Sequence, residues 1–245
     1  MLVALWSPKG GSGTSVVAAA LALVGAGRGD AWLADLGGDQ VAILGLPAFP
    51  ASAPGVQPLP FTAPPTARGL AGWLAAGPSA PTEWLDEMAI PVVPGLALLP
   101  PGDGGAPAPA PEAGAALGVA LRDRGLTVLD AGPGSAAATA VIEVADAALL
   151  VVRPCYLALH RAVGDPRLGR SCGAILVEDA GRALDAEDVA SVVGLPIVAR
   201  VPVRAEIARA VDAGVLRDRL PAALAVSAGT VLDRLGDLAA GRWAA

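Results

Sequence analysis

The segment richest in residues that could bind a ligand is 7–15, which reads SPKGGSGTS. Three glycines let the backbone pass close to an anion and turn several N–H groups towards it. Lys9 adds an ammonium charge, and the Ser15 hydroxyl stands where a magnesium ligand is expected. An apolar run precedes the segment and an Ala/Leu/Val-rich stretch follows it, so the loop would open a helix whose positive dipole end faces the anion. This arrangement predicts a phosphate-binding loop.

The loop departs from the standard phosphate-loop pattern, G-x-x-x-x-G-K-[ST], at two positions. Pro8 stands in place of the first glycine, and Thr14 stands in place of the lysine. Threonine offers a neutral hydroxyl where the pattern has a charge for the β- and γ-phosphates. Taken alone, the segment is also consistent with an ordinary strand-to-helix turn that uses glycines for tight packing.

Two carboxylates end apolar runs and are each followed by a glycine-containing turn. Asp35 follows AWLA, and Asp130 follows LTVL. Open parallel sheets bind ligands at the carboxyl ends of their strands, where a carboxylate can hold a cation or a water. A helix cap or a solvated loop carboxylate is the alternative for either residue alone. The pair, together with the glycine loop, favours a nucleotide site.

The elements that must position these residues are short apolar strands, each followed by a helix, as expected for a parallel sheet covered on both faces. We predict one doubly wound α/β domain over residues 1–245, with a mostly parallel sheet of about seven strands flanked by helices. Two proline-rich stretches, near 47–66 and 100–111, are predicted to be irregular excursions from the core. Strands are predicted near 2–6, 31–35, 96–99, 126–130, 148–153, 174–177 and 197–201, and helices near 14–27, 68–76, 82–89, 112–124, 136–145, 157–163, 185–193, 204–214 and 222–240.

The composition excludes several classes of protein. With 54% hydrophobic and 16% charged residues, the chain as a whole is not disordered. The formal charge of -6 disfavours a mainly electrostatic nucleic-acid binder, and no apolar run reaches the roughly 18–20 residues of a membrane span. Cys155 and Cys172 share no short metal or redox spacing, and His160 is the only histidine, so the cysteine usage is compatible with a reduced cytoplasm.

Arginine is strongly preferred over lysine throughout the chain. The sequence has 16 arginines, no asparagine and a single lysine, Lys9. A lysine retained alone in a glycine-rich loop marks a position where the compact ammonium group matters.

The segment KGGSGTS resembles the deviant Walker A loop of the MinD/ParA family of ATPases, K-G-G-x-G-K-[ST]. Lys9 matches the signature lysine that opens this loop, and Thr14 replaces the second lysine. Further resemblance lies at 31–40, 126–134, 145–162 and 194–214. The resemblance implies a P-loop NTPase fold of the SIMIBI type. The runs DQVAILGLP and LALLPPGD are most similar to the CpaE/TadZ-like, pilus-assembly branch.

The resemblance also implies residue roles around ATP and Mg²⁺ in a face-to-face homodimer. Lys9 would reach the phosphates of the partner subunit, and Asp35 would hold or polarise the attacking water, so these two are the candidate catalytic residues. Ser15 and Asp130 would hold Mg²⁺, Asp130 through water. The candidate nucleotide-binding residues are Lys9, Gly10, Gly11, Ser12, Gly13, Thr14, Ser15 and Asp130.

The leading hypothesis is a cytoplasmic, ATP-binding and at most weakly hydrolysing dimeric switch that positions a cell-envelope, pilus or division assembly through a protein partner. Whether the chain is an active ATPase stays open, because Thr14 lacks a charge. The family's adenine-side asparagine is also absent after the strand near 174–177, where Val177 and Glu178 stand. A catalytically inactive scaffold acting through protein contacts is therefore the first alternative.

A DNA-partitioning ATPase is the second alternative, and the charges of the C-terminal third disfavour it. Four arginines there interleave with acidic residues, which is typical of a mixed solvated face. The last helix has no net positive charge on its polar side, so we expect core packing and at most a peripheral membrane contact, with recruitment to the inner face of the membrane left open. The arginines are Arg204, Arg209, Arg217 and Arg219, and the acidic residues are Glu206, Asp212 and Asp218.

Overall fold

The computed structural model describes residues 1–47, 69–102 and 110–239. Within these ranges the strands are β1 Leu2–Trp6, β2 Ala31–Asp35, β3 Ile90–Val93, β4 Leu96–Leu99, β5 Leu126–Asp130, β6 Ala147–Val152, β7 Gly173–Glu178 and β8 Ile197–Pro202. The helices are α1 Thr14–Ala26, α2 Gln40–Ile43, α3 Gly69–Ala75, α4 Glu83–Met88, α5 Pro111–Arg122, α6 Ala136–Val144, α7 Tyr156–Val163, α8 Ala186–Val193, α9 Ala205–Asp212 and α10 Ala222–Ala239. A 3₁₀ turn covers Pro166–Arg170.

The strands form one sheet in the order β3-β4-β2-β5-β1-β6-β7-β8. Neighbouring strands are parallel except for β3 and β4, which are antiparallel. The predicted mostly parallel sheet is confirmed, with eight strands where about seven were expected. The strand missing from the prediction is β3, an edge strand that contains Pro91 and a register shift. Proline is tolerated at such an edge because no ladder hydrogen bond is lost there.

The sheet is buried on both faces, as the unbroken apolar runs predicted. In β1, Val3 and Leu5 pack in the core on one face, with α1, α9 and α10. Leu2, Ala4 and Trp6 pack in the core on the other face, with α3 to α8. Successive side chains of a strand point to opposite faces, so a strand covered on both sides must be apolar at every position.

The C-terminal helix α10 packs on the core, as its apolar spacing predicted. Leu224, Val231, Leu235 and Leu238 are buried on it. No helix in the described ranges is long and apolar enough to cross a membrane. Most of the two predicted proline-rich excursions, near 47–66 and 100–111, lies outside the described residues, which do not include 48–68 and 103–109.

Candidate functional site

The glycine loop and the two strand-ending carboxylates meet at one edge of the sheet. β1 leads directly into the loop, and β5 lies between β1 and β2. Asp35 and Asp130 are paired in the parallel register of β2 and β5. Because carboxyl ends of parallel strands share one edge, three segments that are far apart in sequence converge here, as the sequence predicted.

The loop is held open by glycines and by two serines. Gly11 and Gly13 have φ angles of +76° and +92°, in the left-handed region that favours glycine. The hydroxyls of Ser7 and Ser12 donate to the carbonyl oxygen of Lys9 at 3.0 and 3.1 Å. Because both hydrogen bonds end on the same carbonyl oxygen, they fix the shape of the turn around Lys9.

A cleft of about 380 Å³ opens above the loop and is lined by the backbone from Gly10 to Val16, by Gly37 and Asp39, and by the turn at Gly132. Thr14 lies in its wall with 5% of its surface exposed. Its Oγ1 has no hydrogen-bond partner among the described residues. A buried hydroxyl left unsatisfied costs about 1–3 kcal/mol, so this atom is suited to a ligand that would fill the cleft.

Gln40 links the two carboxylates and is one of the residues that sequence reasoning missed. Asp35 accepts from the backbone N–H of Gly38 at 2.6 Å and of Gln40 at 2.9 Å. The Gln40 Nε2 donates to Asp130 Oδ2 at 2.8 Å and to the Ser15 carbonyl oxygen at 2.9 Å. The only sequence signal was a polar residue five positions after a strand-ending aspartate, which is too weak to single it out.

Both carboxylates are buried, and their pKa values are raised. Burial, reinforced by the charge of Asp130, raises the pKa of Asp35 to about 7. Burial likewise raises the pKa of Asp130, against the opposing hydrogen bonds from Ser15, Gln40 and the N–H of Gly132. Two close carboxylates in a low dielectric favour a shared proton or a bound cation. Oxygen ligands of this kind suit Mg²⁺.

The raised pKa of Asp35 predicts that stability falls as the pH rises through neutrality. Between the unfolded value of 3.8 and the folded value of about 7, the folded chain binds the additional proton. The free energy of unfolding should therefore drop by about 2–3 kcal/mol from pH 5 to pH 8. Denaturant unfolding in metal-free buffer at a series of pH values measures this. The Asp35→Asn variant should lack the part of this pH dependence that comes from Asp35. If the free energies of unfolding of the variant and the wild type differ by the same amount at every pH, the raised pKa of Asp35 is contradicted.

Arg167 is a second residue that sequence reasoning missed, and it braces the start of the loop. Its guanidinium lies 4.4 Å from the centre of the Trp6 ring and pairs with Asp165 at 2.6 Å. It also donates to the carbonyl oxygen of Pro133 at 2.9 Å. Gly134 makes room for it, because a Cβ there would overlap the guanidinium. The contacts tie the end of β1 to the turn after β5.

A smaller cavity of about 290 Å³ lies on the other side of the loop, between Gly11–Gly13 and α9. Its walls are mostly apolar and include Val177, Val201 and Val203. The asparagine that the resemblance implies just after the strand near 174–177 is absent, and the apolar side chain of Val177 lines the cavity there. Glu178 makes an ion pair with Arg200 at 3.2 Å.

The other candidate residues do not converge on this site. Cys155 and Cys172 are free thiols, and His160 is on the exposed side of α7. In the part of the chain that the structure describes, no group of three or more His, Cys, Asp or Glu side chains is arranged to hold a metal. Any metal at the cleft would therefore need oxygen atoms from hydroxyls, amides or a ligand in addition to Asp35 and Asp130.

No protein-family model and no curated protein sequence matches the chain. The septum site-determining protein MinD from Pyrococcus horikoshii, complexed with Mg-ADP, has a TM-score of 0.73 and 17% identity, covering 100% of this chain and 99% of that one. The chain has the fold of the MinD/ParA ATPases. A ParA family ATPase from Chlorobium tepidum has a TM-score of 0.67 and 21% identity, covering 96% of this chain and 98% of that one.

A third similar structure is the MinC:MinD cell division protein complex of Aquifex aeolicus, with a TM-score of 0.68 and 19% identity, covering 96% of this chain and 95% of that one. The MinD/ParA fold confirms the predicted fold class. At these identities the likeness establishes the fold, and the activity of the chain has to be argued from its own residues.

Proposed function

We propose that this chain is a single-domain, MinD/ParA-like nucleotide switch that binds ATP with Mg²⁺ and hydrolyses it slowly. The main support is the cleft itself, which is lined by the glycine loop and by Thr14 with its unpartnered hydroxyl. The buried carboxylate of Asp130, paired in register with Asp35, lies directly behind the lining residues Gly37 and Gly132. Phosphoryl transfer depends mainly on positioning and charge neutralisation, which such a cleft can supply. The MinD structure with Mg-ADP has the same fold and supports the assignment.

The backbone of Gly10–Ser15 would cradle the phosphates at the positive end of α1. We assign Mg²⁺ to Ser15 and Asp130, where it would neutralise phosphate charge when bound. The donor set fits an oxygen-seeking cation, because the buried Oε1 of Gln40 has no partner among the described residues. Asp35 would orient the attacking water, and its pKa of about 7 suits a group that accepts a proton near neutral pH.

Lys9 would act on a second subunit in a homodimer. It is half-buried at the rim of the loop, and no carboxylate pairs with it among the described residues. Its position before the glycines matches the signature lysine of the MinD/ParA loop, and this match supports a role across an interface. The cargo would be a protein of an envelope, pilus or division assembly. A pilus assembly is favoured if the chain belongs to the CpaE/TadZ-like branch, as its sequence predicts. The MinD of the MinC:MinD complex supports a protein partner for this fold. We place the switch in the cytoplasm, with any membrane contact made through that partner.

Nucleotide-dependent dimerisation tests this proposal. Light scattering on the purified chain of 24.0 kDa should show a monomer alone and a dimer with ATP and Mg²⁺. Lys9→Ala should stay monomeric under the same conditions, because the partner's phosphates lose their counter-charge. Arg161→Ala, which removes an exposed cation from α7, is the matched control and should dimerise normally. Dimerisation that Lys9→Ala leaves intact would count against the proposal.

A nucleotide-independent scaffold is the second candidate. It is favoured by the neutral Thr14 and by an exposed apolar surface where α7 meets α8. Tyr156, Val163 and Val192 are 78%, 55% and 49% exposed there, beside a groove of about 500 Å³. A patch of this kind is typical of a protein contact. A tight, Mg²⁺-dependent complex with ATP would exclude this candidate.

A further inference from the structure

Thr14 leaves the loop without the positive charge that its pattern places there, and the structure brings another cation to the same loop. Arg153 is the first residue after β6, and β6 is the parallel neighbour of β1. Its side chain therefore emerges beside the start of the loop and lines the smaller cavity together with Gly11 and Gly13. The sequence does not reveal that these residues line one cavity, because Arg153 and Gly13 are 140 positions apart.

The charge of Arg153 is poorly compensated in the described structure. Its Nη2 lies 3.5 Å from Asp179 Oδ2, at the limit of a hydrogen bond. Arg182 donates to the same oxygen from two nitrogens, at 3.0 and 2.7 Å. The Nε of Arg153 is buried and has no partner among the described residues. Two guanidinium groups thus share one carboxylate, which leaves both a positive charge and a donor for a ligand.

The surroundings of Arg153 favour an anion. The cavity walls are largely apolar, which strengthens electrostatic attraction inside them. The other charged side chains that line the cavity are Arg204 and Asp212, at the two ends of α9. Both are exposed to solvent and are screened more than the half-buried Arg153.

We propose that Arg153 binds phosphate oxygens of the nucleotide on the Gly11–Gly13 side of the loop and supplies, within the same chain, the positive charge that Thr14 lacks. The planar fork of Nε and Nη groups matches two phosphate oxygens, which a threonine hydroxyl cannot do. The ligand class is a nucleoside di- or triphosphate. This inference rests on the proposed function and assigns a residue to the same site.

Calorimetric titration of Mg-ATP, and of inorganic tripolyphosphate as a probe without a base, tests the assignment. Arg153→Gln should raise the Kd for both by roughly 10- to 100-fold, the effect expected when a charged hydrogen bond to an anion is lost. Arg153→Lys should restore part of the affinity. Arg161→Gln is the matched control, because it removes an exposed arginine that lies on α7 and does not line this cavity, and it should leave both affinities unchanged. Equal affinities for wild type and Arg153→Gln, or equal losses in Arg153→Gln and Arg161→Gln, would overturn the assignment.

A double-variant comparison separates a phosphate contact from a structural role. In a Thr14→Lys background the new ammonium would share the phosphates, so Arg153→Gln should cost several-fold less affinity than it does in the wild type. An undiminished cost would indicate a structural role and overturn the assignment. Thermal unfolding of each variant confirms that it is folded. A wild type that binds no nucleotide refutes the proposed function, whereas wild-type binding that Arg153→Gln does not weaken refutes only the role of Arg153.

Discussion

Replacing Thr14 by lysine should tighten Mg-ATP binding by about 10- to 100-fold and speed hydrolysis by about 100-fold. Thr14 is the first residue of α1 and lies in the cleft wall, so a longer side chain would extend into the cleft. The substitution breaks no hydrogen bond of the Thr14 hydroxyl, because this group has no partner among the described residues. A lysine ammonium would add charge-assisted hydrogen bonds at the point where negative charge develops during phosphoryl transfer.

The matched control for this gain of function is Thr14→Val, which keeps the shape of the side chain and adds no charge. Its affinity for Mg-ATP should change by at most a few-fold. Calorimetry measures the affinities, and phosphate release with ATP in excess measures the rates. If Thr14→Lys binds and hydrolyses ATP no better than the wild type, the loop does not contact phosphates in the way proposed.

Removing Arg167 should cause a large loss of stability. Arg167→Ala should lower the free energy of unfolding by about 3 kcal/mol, because it leaves Asp165 without its buried counter-charge and empties the space over Trp6. Hydrogen bonding to Arg167 also lowers the pKa of Asp165, against the effect of burial. The variant should therefore lose this contribution above the unfolded pKa of Asp165, where the carboxylate is charged.

Denaturant unfolding at pH 7 measures the effect, with Arg161→Ala as the control. Arg161 is exposed on α7, and its loss should change the free energy of unfolding by less than about 0.5 kcal/mol. Adding Asp165→Asn to Arg167→Ala should cost less than the sum of the two single changes, because the pair is coupled. A loss below about 1 kcal/mol for Arg167→Ala would show that the contacts seen around the loop contribute little.

Local patterns predicted the parts of the fold and site that depend on neighbouring residues. Unbroken apolar runs marked the buried strands, and the glycine loop, Asp35 and Asp130 were placed together because all three follow such runs. The edge strand β3 was missed because Pro91 and half-buried neighbours give it neither an apolar run nor a clean alternation. The short α2 was missed because four residues are too few for helical periodicity.

Contacts between distant segments left no signal in the sequence. Arg167 contacts Trp6 and Pro133, and Arg153 lines a cavity together with the glycine loop, because the sheet places β5 and β6 on either side of β1. Gln40 owes its role to the pairing of β2 with β5, which sets Asp130 within reach of its amide. Residues of this kind can be found only after the order of the strands is known.

Calorimetric titration of ATP into the purified chain, with and without Mg²⁺, tests whether the cleft is a nucleotide site. We expect a Kd for ATP in the micromolar range with Mg²⁺ and a higher Kd without it. The ratio of these two Kd values should be at least about tenfold smaller in Asp130→Asn, because the cation loses a charged oxygen. The absence of any binding heat at millimolar nucleotide, with or without Mg²⁺ and from a folded protein, would contradict nucleotide binding in the cleft. The glycine loop would then be a structural turn, and the function would have to be sought in the apolar surface of α7 and α8.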